Sequence, residues 1–347
     1  MTIKIAAFTL YGAILANKVA NALRNNGYDA TAYAAPRIAD VAQLESTEGI
    51  QTWTERWFPQ ADALVYIGAA GIAVRAVAPF VKSKLTDPAV LSMDEKGRYV
   101  VSLLSGHIGG ANQLARRIAD FTGGVAVIST ATDVNGKFAV DDWAARNGYV
   151  LRNPKAIRGI ANALLEEKTV GFSSEYPVEG GLPLGLITST DTECGLYIGI
   201  HPSSPFIETL MCIPPIVTLG LGCRRGVSEE TICDSLQFAL AKANIAKESI
   251  GAIASIDLKR NEAGLLRFAE RMRLETVFYN AEELQSVEGH FTPSERVLAV
   301  TGVDNVCERA AVLRSKGSLI LAKTAYNGVT IALAIQPFTV RFKELNG

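Results

Sequence analysis

Tyr99-Val-Val-Ser-Leu-Leu-Ser-Gly-His-Ile-Gly-Gly-Ala-Asn112, running on into Gln113-Leu-Ala-Arg-Arg-Ile-Ala-Asp-Phe121, is the stretch that decides the fold class. Its first six residues are apolar or β-branched, without Gly or Pro, and predict a strand. From Ala111 the period changes. Ala111, Leu114, Ala115 and Ile118 recur at helical spacing, while Arg116, Arg117 and Asp120 turn outward. A strand feeding a helix is the repeating unit of an α/β fold. The joint, Ser105-Gly106-His107-Ile108-Gly109-Gly110, combines three glycines with one titratable ring. Glycine permits positive φ and close approach of a ligand, and a helix start offers unpaired N–H groups and a positive dipole end. Loops at the carboxyl ends of strands are where α/β sheets bind their ligands. A tight corner with a backbone-bonded histidine would use the same residues.

The 347 residues suffice for two or three domains with separate cores. A net charge of -1 gives no footing to a nucleic-acid or membrane-surface role. No apolar run approaches the ~20 residues of a membrane span, and the opening Met-Thr-Ile-Lys-Ile-Ala-Ala-Phe reads as a strand rather than a signal peptide. Cys194, Cys212, Cys223, Cys233 and Cys307 form no C-x-x-C pair, so a reducing cytoplasm without structural zinc is expected. The three histidines are scattered, which argues against a His-based metal cluster.

Ile3 to Leu10 predicts a strand, Tyr11-Gly12 a turn, 13–25 a helix and 29–34 a second strand. One helix is expected within 36–60, anchored by Trp53, Trp57 and Phe58. The strand 61–67 runs into Gly68-Ala-Ala-Gly71-Ile-Ala-Val-Arg75, which lacks dinucleotide spacing. Residues 90–93 and 99–104 predict a hairpin, and the strand 125–129 ends in Thr130-Ala-Thr-Asp133. From residue 135 the texture changes to two helices and two strands, with a Pro-rich exit at 201–215 read as a linker. The last third opens with a strand at 216–220 and the turn Gly220-Leu-Gly222-Cys223-Arg224-Arg225-Gly226, then a helix capped by Ser228. Further strands are expected at 250–258, 277–279 and 297–300, helices at 261–272 and 306–315, and a closing hairpin over Tyr326-Asn327-Gly328. The expected architecture is α/β in three modules. These are an N-terminal α/β domain with Gly-rich strand-to-helix turns (1–134), a small central α/β module (135–214) and a C-terminal mixed-sheet α/β domain (215–347).

Gly68-x-x-Gly71-Ile-x-x-Arg75, Ser105-Gly-His-Ile-Gly-Gly-Ala-Asn112 and Thr130-Ala-Thr-Asp133 together resemble the amino-terminal module of the cobalt-precorrin 5A hydrolase family. Gly220-x-Gly222-Cys223-Arg224-x-Gly226, Lys259, Glu262-x-Gly264-Leu265, Glu308-x-Ala310-Ala311 and Lys323 with Val329-Thr330 resemble its carboxy-terminal module. The resemblance implies a role in anaerobic cobalamin biosynthesis. The substrate would be a cobalt-containing tetrapyrrole whose δ-lactone is opened by water, with acetaldehyde leaving and cobalt-precorrin 5B formed. It implies no cofactor, since the cobalt arrives in the substrate, and neighbouring corrin-pathway enzymes as partners.

Lactone opening needs a base for water and donors for the oxygen that becomes negative. His107 is the expected base, because an ordinary imidazole titrates near neutrality. Asn112, to orient the carbonyl or cap the helix, and Asp133, as an acid–base group or a cap of the following segment, complete the expected catalytic set, and the N–H groups of Gly109 and Gly110 are expected oxyanion donors. The substrate that the resemblance implies is a polyanion, which calls for helix N-termini and cations; Gly68, Gly71, Arg75, Lys84, Ser105, Gly106, Gly222, Cys223, Arg224, Lys259, Glu308 and Lys323, from the Gly turns, the basic residues and the matching motif positions, are its expected contacts. Cys223 also reads as a packed turn residue, and Lys259 and Glu308 as partners of each other. A non-catalytic tetrapyrrole carrier would share the Gly-rich turns but would not need His107. A generic nucleotide-binding protein is disfavoured by the missing spacings.

Overall fold

A computed structural model of the chain describes residues 1–83, 86–107 and 109–342. The chain is an α/β protein that divides into two compact units, Met1–Trp143 and Ala144–Gly347. In the first, the chain runs β1 (Thr2–Ala7), α1 (Leu10–Asn25), β2 (Asp29–Ala34), α2 (Pro36–Ala42), β3 (Glu45–Ser46), α3 (Ile50–Trp57) and β4 (Ala63–Ile67). It continues through α4 (Ala70–Val77), β5 (Ala89–Met93), β6 (Tyr99–Leu104), α5 (Ala111–Thr122), β7 (Val125–Val127), α6 (Ala131–Val134) and the first half of α7 (Val140–Arg146), within which the first unit ends.

The strands form one sheet in the order β3-β2-β1-β4-β5-β6-β7. Alternation along β1 sorts its side chains: Ile3, Ile5 and Ala7 pack under α1, while Ala6 joins Trp53, Phe58 and Tyr66 on the other face. Helices α1 and α5 cover the first face and α3 and α4 the second. Strands β3 to β5 run parallel, but the β5–β6 hairpin reverses direction, and β7 follows β6. The carboxyl end of β6 therefore lies at the sheet edge opposite the carboxyl ends of β1 and β4. That reversal matters for the site.

Two expectations about the first unit give way. Tyr11 and Gly12 belong to the first turn of α1, because Thr9 caps the helix, its Oγ1 accepting from the Gly12 N–H at 3.1 Å. Residues 36–60 hold two helices, α2 and α3, in place of one.

The second unit carries β8 (Val150–Arg152), α8 (Ala156–Leu165), β9 (Val170–Ser174), β10 (Val178–Glu179), β11 (Leu186–Ile187), β12 (Cys194–Ile198) and β13 (Glu208–Ile213). It goes on with β14 (Val217–Cys223), α9 (Glu229–Ala243), β15 (Ile250–Ile256), α10 (Ala263–Met272), β16 (Glu275–Tyr279), α11 (Ala281–Gln285), α12 (Glu295–Thr301) and α13 (Cys307–Ser315). It ends with β17 (Ser318–Tyr326), β18 (Val329–Ile335) and β19 (Val340–Arg341). One sheet has the order β11-β9-β12-β13-β8 and another β16-β15-β14-β18-β17, while β19 returns to pair with β10.

Three corrections follow. The exit read as a linker contains β13, whose Leu210, Cys212 and Ile213 are fully buried between β12 and β8, so the prolines only flank a core strand. Gly220 and Gly222 lie inside β14, not in a turn. A Cβ on Gly220 would stand 1.8 Å from the Cys307 carbonyl oxygen, so the glycine is there to let α13 lie on the strand. Residues 297–300 are helical within α12, bounded by Ser294 and Gly302, because a short apolar run does not distinguish helix from strand.

Candidate active site

The β6–α5 turn is built by close backbone approach. Ser105 takes φ +56 and donates its hydroxyl to the Asp87 carbonyl at 2.9 Å. A Cβ on Gly109 would meet the Ser105 Cβ at 2.4 Å, so only glycine fits there. The Ala111 and Asn112 N–H groups close the turn onto the Ser105 and Gly106 carbonyls, at 3.1 and 2.9 Å. The Gly110 N–H donates to the His107 carbonyl at 2.8 Å. That bond takes Gly110 out of the set of free oxyanion donors.

His107 projects into a cluster of ionised groups. Its Nε2 lies 2.8 Å from Asp133 Oδ2, and its Nδ1 lies 3.3 Å from Asp141 Oδ2. Asp133 also accepts from Arg116 at 2.7 Å and from Asn112 Nδ2 at 3.1 Å. Asn112 Nδ2 reaches Thr130 Oγ1 at 3.0 Å as well, while its Oδ1 is buried without a partner among the described residues. The ring is mostly buried, its side chain 14% exposed.

The hydrogen bond to Asp141 is the largest influence on the ring. It outweighs burial and, with the Asp141 and Asp133 charges, pushes His107 up to about 9. Burial works against charge on Asp133, yet bonds from Arg116 and His107 hold that carboxyl below its usual value. Asp141 follows the same pattern: burial is outweighed by the bond and charge of His107. Near neutrality His107 is an imidazolium with both ring nitrogens occupied. It offers fixed positive charge and no lone pair, which runs against the proton-accepting role expected of it.

Sequence reasoning brought His107, Asn112 and Asp133 together, as the structure does. It missed Arg116, read as an outward charge, and Asp141, which is 34 residues beyond His107 and carries no spacing signal. The β5–β6 reversal separates this cluster from Gly68, Gly71 and Arg75. Those residues follow β4 at the opposite sheet edge, roughly 15 Å away at ~3.3 Å per strand residue. Arg75 there is exposed and donates to the Gly71 carbonyl at 3.0 Å. Lys84 lies outside the described residues.

In the second unit the carboxyl ends of β14 and β15 bring Cys223, Arg224 and Lys259 to one sheet edge. Burial pushes the Cys223 thiol up, against the pull of Lys259, which suits a packed residue better than a thiolate nucleophile. Lys259 pairs with Glu262 at 3.2 Å, not with Glu308. Glu308 is 1% exposed and its carboxylate is fully used. It accepts from the Thr292 N–H and hydroxyl, Asn305 Nδ2 and the Lys323 N–H, at 2.6, 2.9, 2.7 and 2.6 Å. Its place is structural. Among the described residues no group of three or more His, Cys, Asp or Glu has an arrangement that would hold a metal ion.

Two family models match the chain: Cobalamin synthesis G N-terminal over 52–133 and Cobalamin synthesis G C-terminus over 217–334. The Cobalt-precorrin-5A hydrolase of Priestia megaterium is 32% identical over 301 residues, covering 81% of this chain and 80% of its own. The chain belongs to the cobalt-precorrin-5A hydrolase family. The namesake from Salmonella typhimurium is 31% identical over 318 residues, covering 88% of this chain and 91% of its own. Protein CobE of a Sinorhizobium species is 34% identical over 131 residues, 37% of this chain and 84% of its own. Within this cobalt-precorrin-5A hydrolase family member, the N-terminal match ends at Asp133 and so stops short of Asp141. No helix among the described residues is long and apolar enough to cross a membrane.

Proposed function

We propose that this protein opens the δ-lactone of cobalt-precorrin 5A with water and releases acetaldehyde, giving cobalt-precorrin 5B in anaerobic cobalamin biosynthesis. The observation that carries this reading is the 32% identity over four-fifths of the chain to a hydrolase of that name. The substrate brings its own cobalt, and the reaction uses no redox cofactor. The enzyme works in the cytoplasm, alongside the enzymes that make and consume these corrinoids.

In this reading His107 is a fixed cation for negative charge developing on the lactone oxygens, not the base. Asp133 and Asp141 hold the ring, Asn112 holds Asp133, and the Gly109 N–H adds a backbone donor. Arg224, Lys259 and Lys323 meet the carboxylates of the tetrapyrrole rim, where Arg offers a bidentate fork. His107→Gln, which keeps size and loses the charge, is expected to slow turnover by ~10²-fold, the cost of one lost electrostatic donor. The deciding experiment is anaerobic incubation with cobalt-precorrin 5A and trapping of acetaldehyde. Release without added nicotinamide or flavin is the expected result. Tight corrinoid binding without acetaldehyde would make the protein a carrier instead.

A further inference from the structure

The His107 cluster has an inside and an outside. Its members, His107, Asn112, Arg116, Asp133 and Asp141, all belong to the first unit. The Asp141, His107 and Asp133 side chains are shielded, at 9%, 14% and 16% exposed. Arg116 is 48% exposed and forms the outer end. Both carboxyls stay ionised near neutrality despite their burial, and the ring is pushed up to about 9. The set therefore holds two anions and two cations. Its charges cancel in sum but not in place, because an approaching ligand meets the guanidinium and the acids are the shielded partners.

Local structure builds that outer end. Asn112 and Arg116 stand one turn apart on α5, at i and i+4, and share Asp133 between them. Asn112 Nδ2 donates to Oδ2 at 3.1 Å, and Arg116 donates through one terminal nitrogen to Oδ1 at 2.7 Å. Oδ2 also faces His107 Nε2 at 2.8 Å, so both oxygens of Asp133 are engaged. The guanidinium is not. A planar fork carries five N–H donors, and the bond to Asp133 is its only one among the described residues. That bond fixes the fork and leaves its other donors open, which suits a bidentate carboxylate at a small ordering cost. Arg117, next in sequence, is spent by comparison. It donates to the Tyr28 hydroxyl, and its guanidinium carbon lies 5.4 Å from the centre of that ring.

We infer that Arg116 binds a carboxylate of the tetrapyrrole rim, with Asp133 as the residue that positions its guanidinium. This rests on the hydrolytic reading above, which puts the lactone at His107. No bond is made or broken at Arg116. It holds substrate and product alike, so its loss falls on KM and on product affinity rather than on the chemical step.

The test compares wild type, Arg116→Gln and Arg116→Lys in the full chain. Turnover of cobalt-precorrin 5A is followed by acetaldehyde trapping, and binding by absorbance titration with the product, cobalt-precorrin 5B. Arg116→Gln should raise KM and the product Kd by ~10–10²-fold, the range for lost hydrogen bonds to a charged group, with kcat within about threefold of wild type. Arg116→Lys keeps the charge without the fork and should fall between the two. The wild-type KM should climb with salt more steeply than that of Arg116→Gln. An exposed ion pair adds little stability, so both variants should fold like wild type. A kcat that falls while KM and Kd hold would mean that Arg116 acts only through Asp133, and overturns the assignment. Equal salt dependence in wild type and Arg116→Gln overturns it as well. Wild type that releases no acetaldehyde removes the hydrolytic reading, and the Kd ratio then decides the assignment, a ratio near one removing it. Active wild type with an unchanged Kd in Arg116→Gln removes the assignment alone.

Discussion

His107 stands between Asp133 and Asp141, and folding pushes its ring from the ordinary 6.5 up to about 9. The folded chain therefore holds a proton there that the unfolded chain releases across that interval. The stabilisation is complete below about 6.5 and is lost as pH rises through about 9, for a total of roughly 3 kcal/mol by linkage. Asp133 and Asp141 act in the other direction, lending stability above the ordinary carboxyl range and losing it in acid. Thermal unfolding of wild type and His107→Gln should show a wide gap at pH 6 that narrows by pH 9.5. A gap that stays constant would mean that the ring carries no extra proton. Glu308 offers a contrast, being a buried carboxylate with four donors. Glu308→Ala leaves those donors unpaired and should cost on the order of 3 kcal/mol in urea denaturation. His107, Asn112 and Asp133 were legible as a group in the sequence, but the rest of that network and the whole of the Glu308 network were not. Asp141 and Thr292 carry no periodic signal that would pair them with His107 or Glu308, because their contacts come from folding rather than spacing.

At the scale of the element, hydrophobic period and turn chemistry were readable wherever one face of a segment was buried. The strand-to-helix passage through 99–121 falls where its apolar, β-branched run and then its 3.6-residue period put it. Asn327 and Gly328 take positive φ and close the β17–β18 hairpin. What misled was composition without geometry. Prolines around 201–215 suggested open chain, yet Leu210 to Ile213 is a buried strand paired on both sides. Limited proteolysis should leave 208–213 uncut until the unit unfolds, and early cleavage there would argue that β13 is not formed. The glycines of β14 suggested a ligand turn, but they answer to packing. Gly220→Ala must push α13 away from backbone at 1.8 Å and should cost about 3 kcal/mol or more. Gly123→Ala has nothing within 4 Å and suffers only its φ of +70, about 1 kcal/mol. Equal losses in a denaturant titration of the two variants would refute the packing argument.

At the scale of the molecule, each of the two units has a core of its own, one around Ile3, Ile5 and Leu23 and one around Leu219, Leu221 and Phe268. Unfolding should therefore depart from a single two-state transition. In calorimetry His107→Gln should lower the step belonging to Met1–Trp143 and leave the other in place, whereas one cooperative step shifted as a whole would mean that the units unfold together. The α/β class was legible in the sequence, since it follows from local pattern. The β5–β6 hairpin was legible from its turn, but not its consequence, which sets two similar glycine turns at opposite ends of the strands of one sheet. Gly220 carries a different kind of consequence. A signature that survives because a helix must lie against a strand reports ancestry of fold, not retention of chemistry. A chain that had lost every reacting group would still need that glycine, so a search keyed to it would gather active and inactive descendants alike.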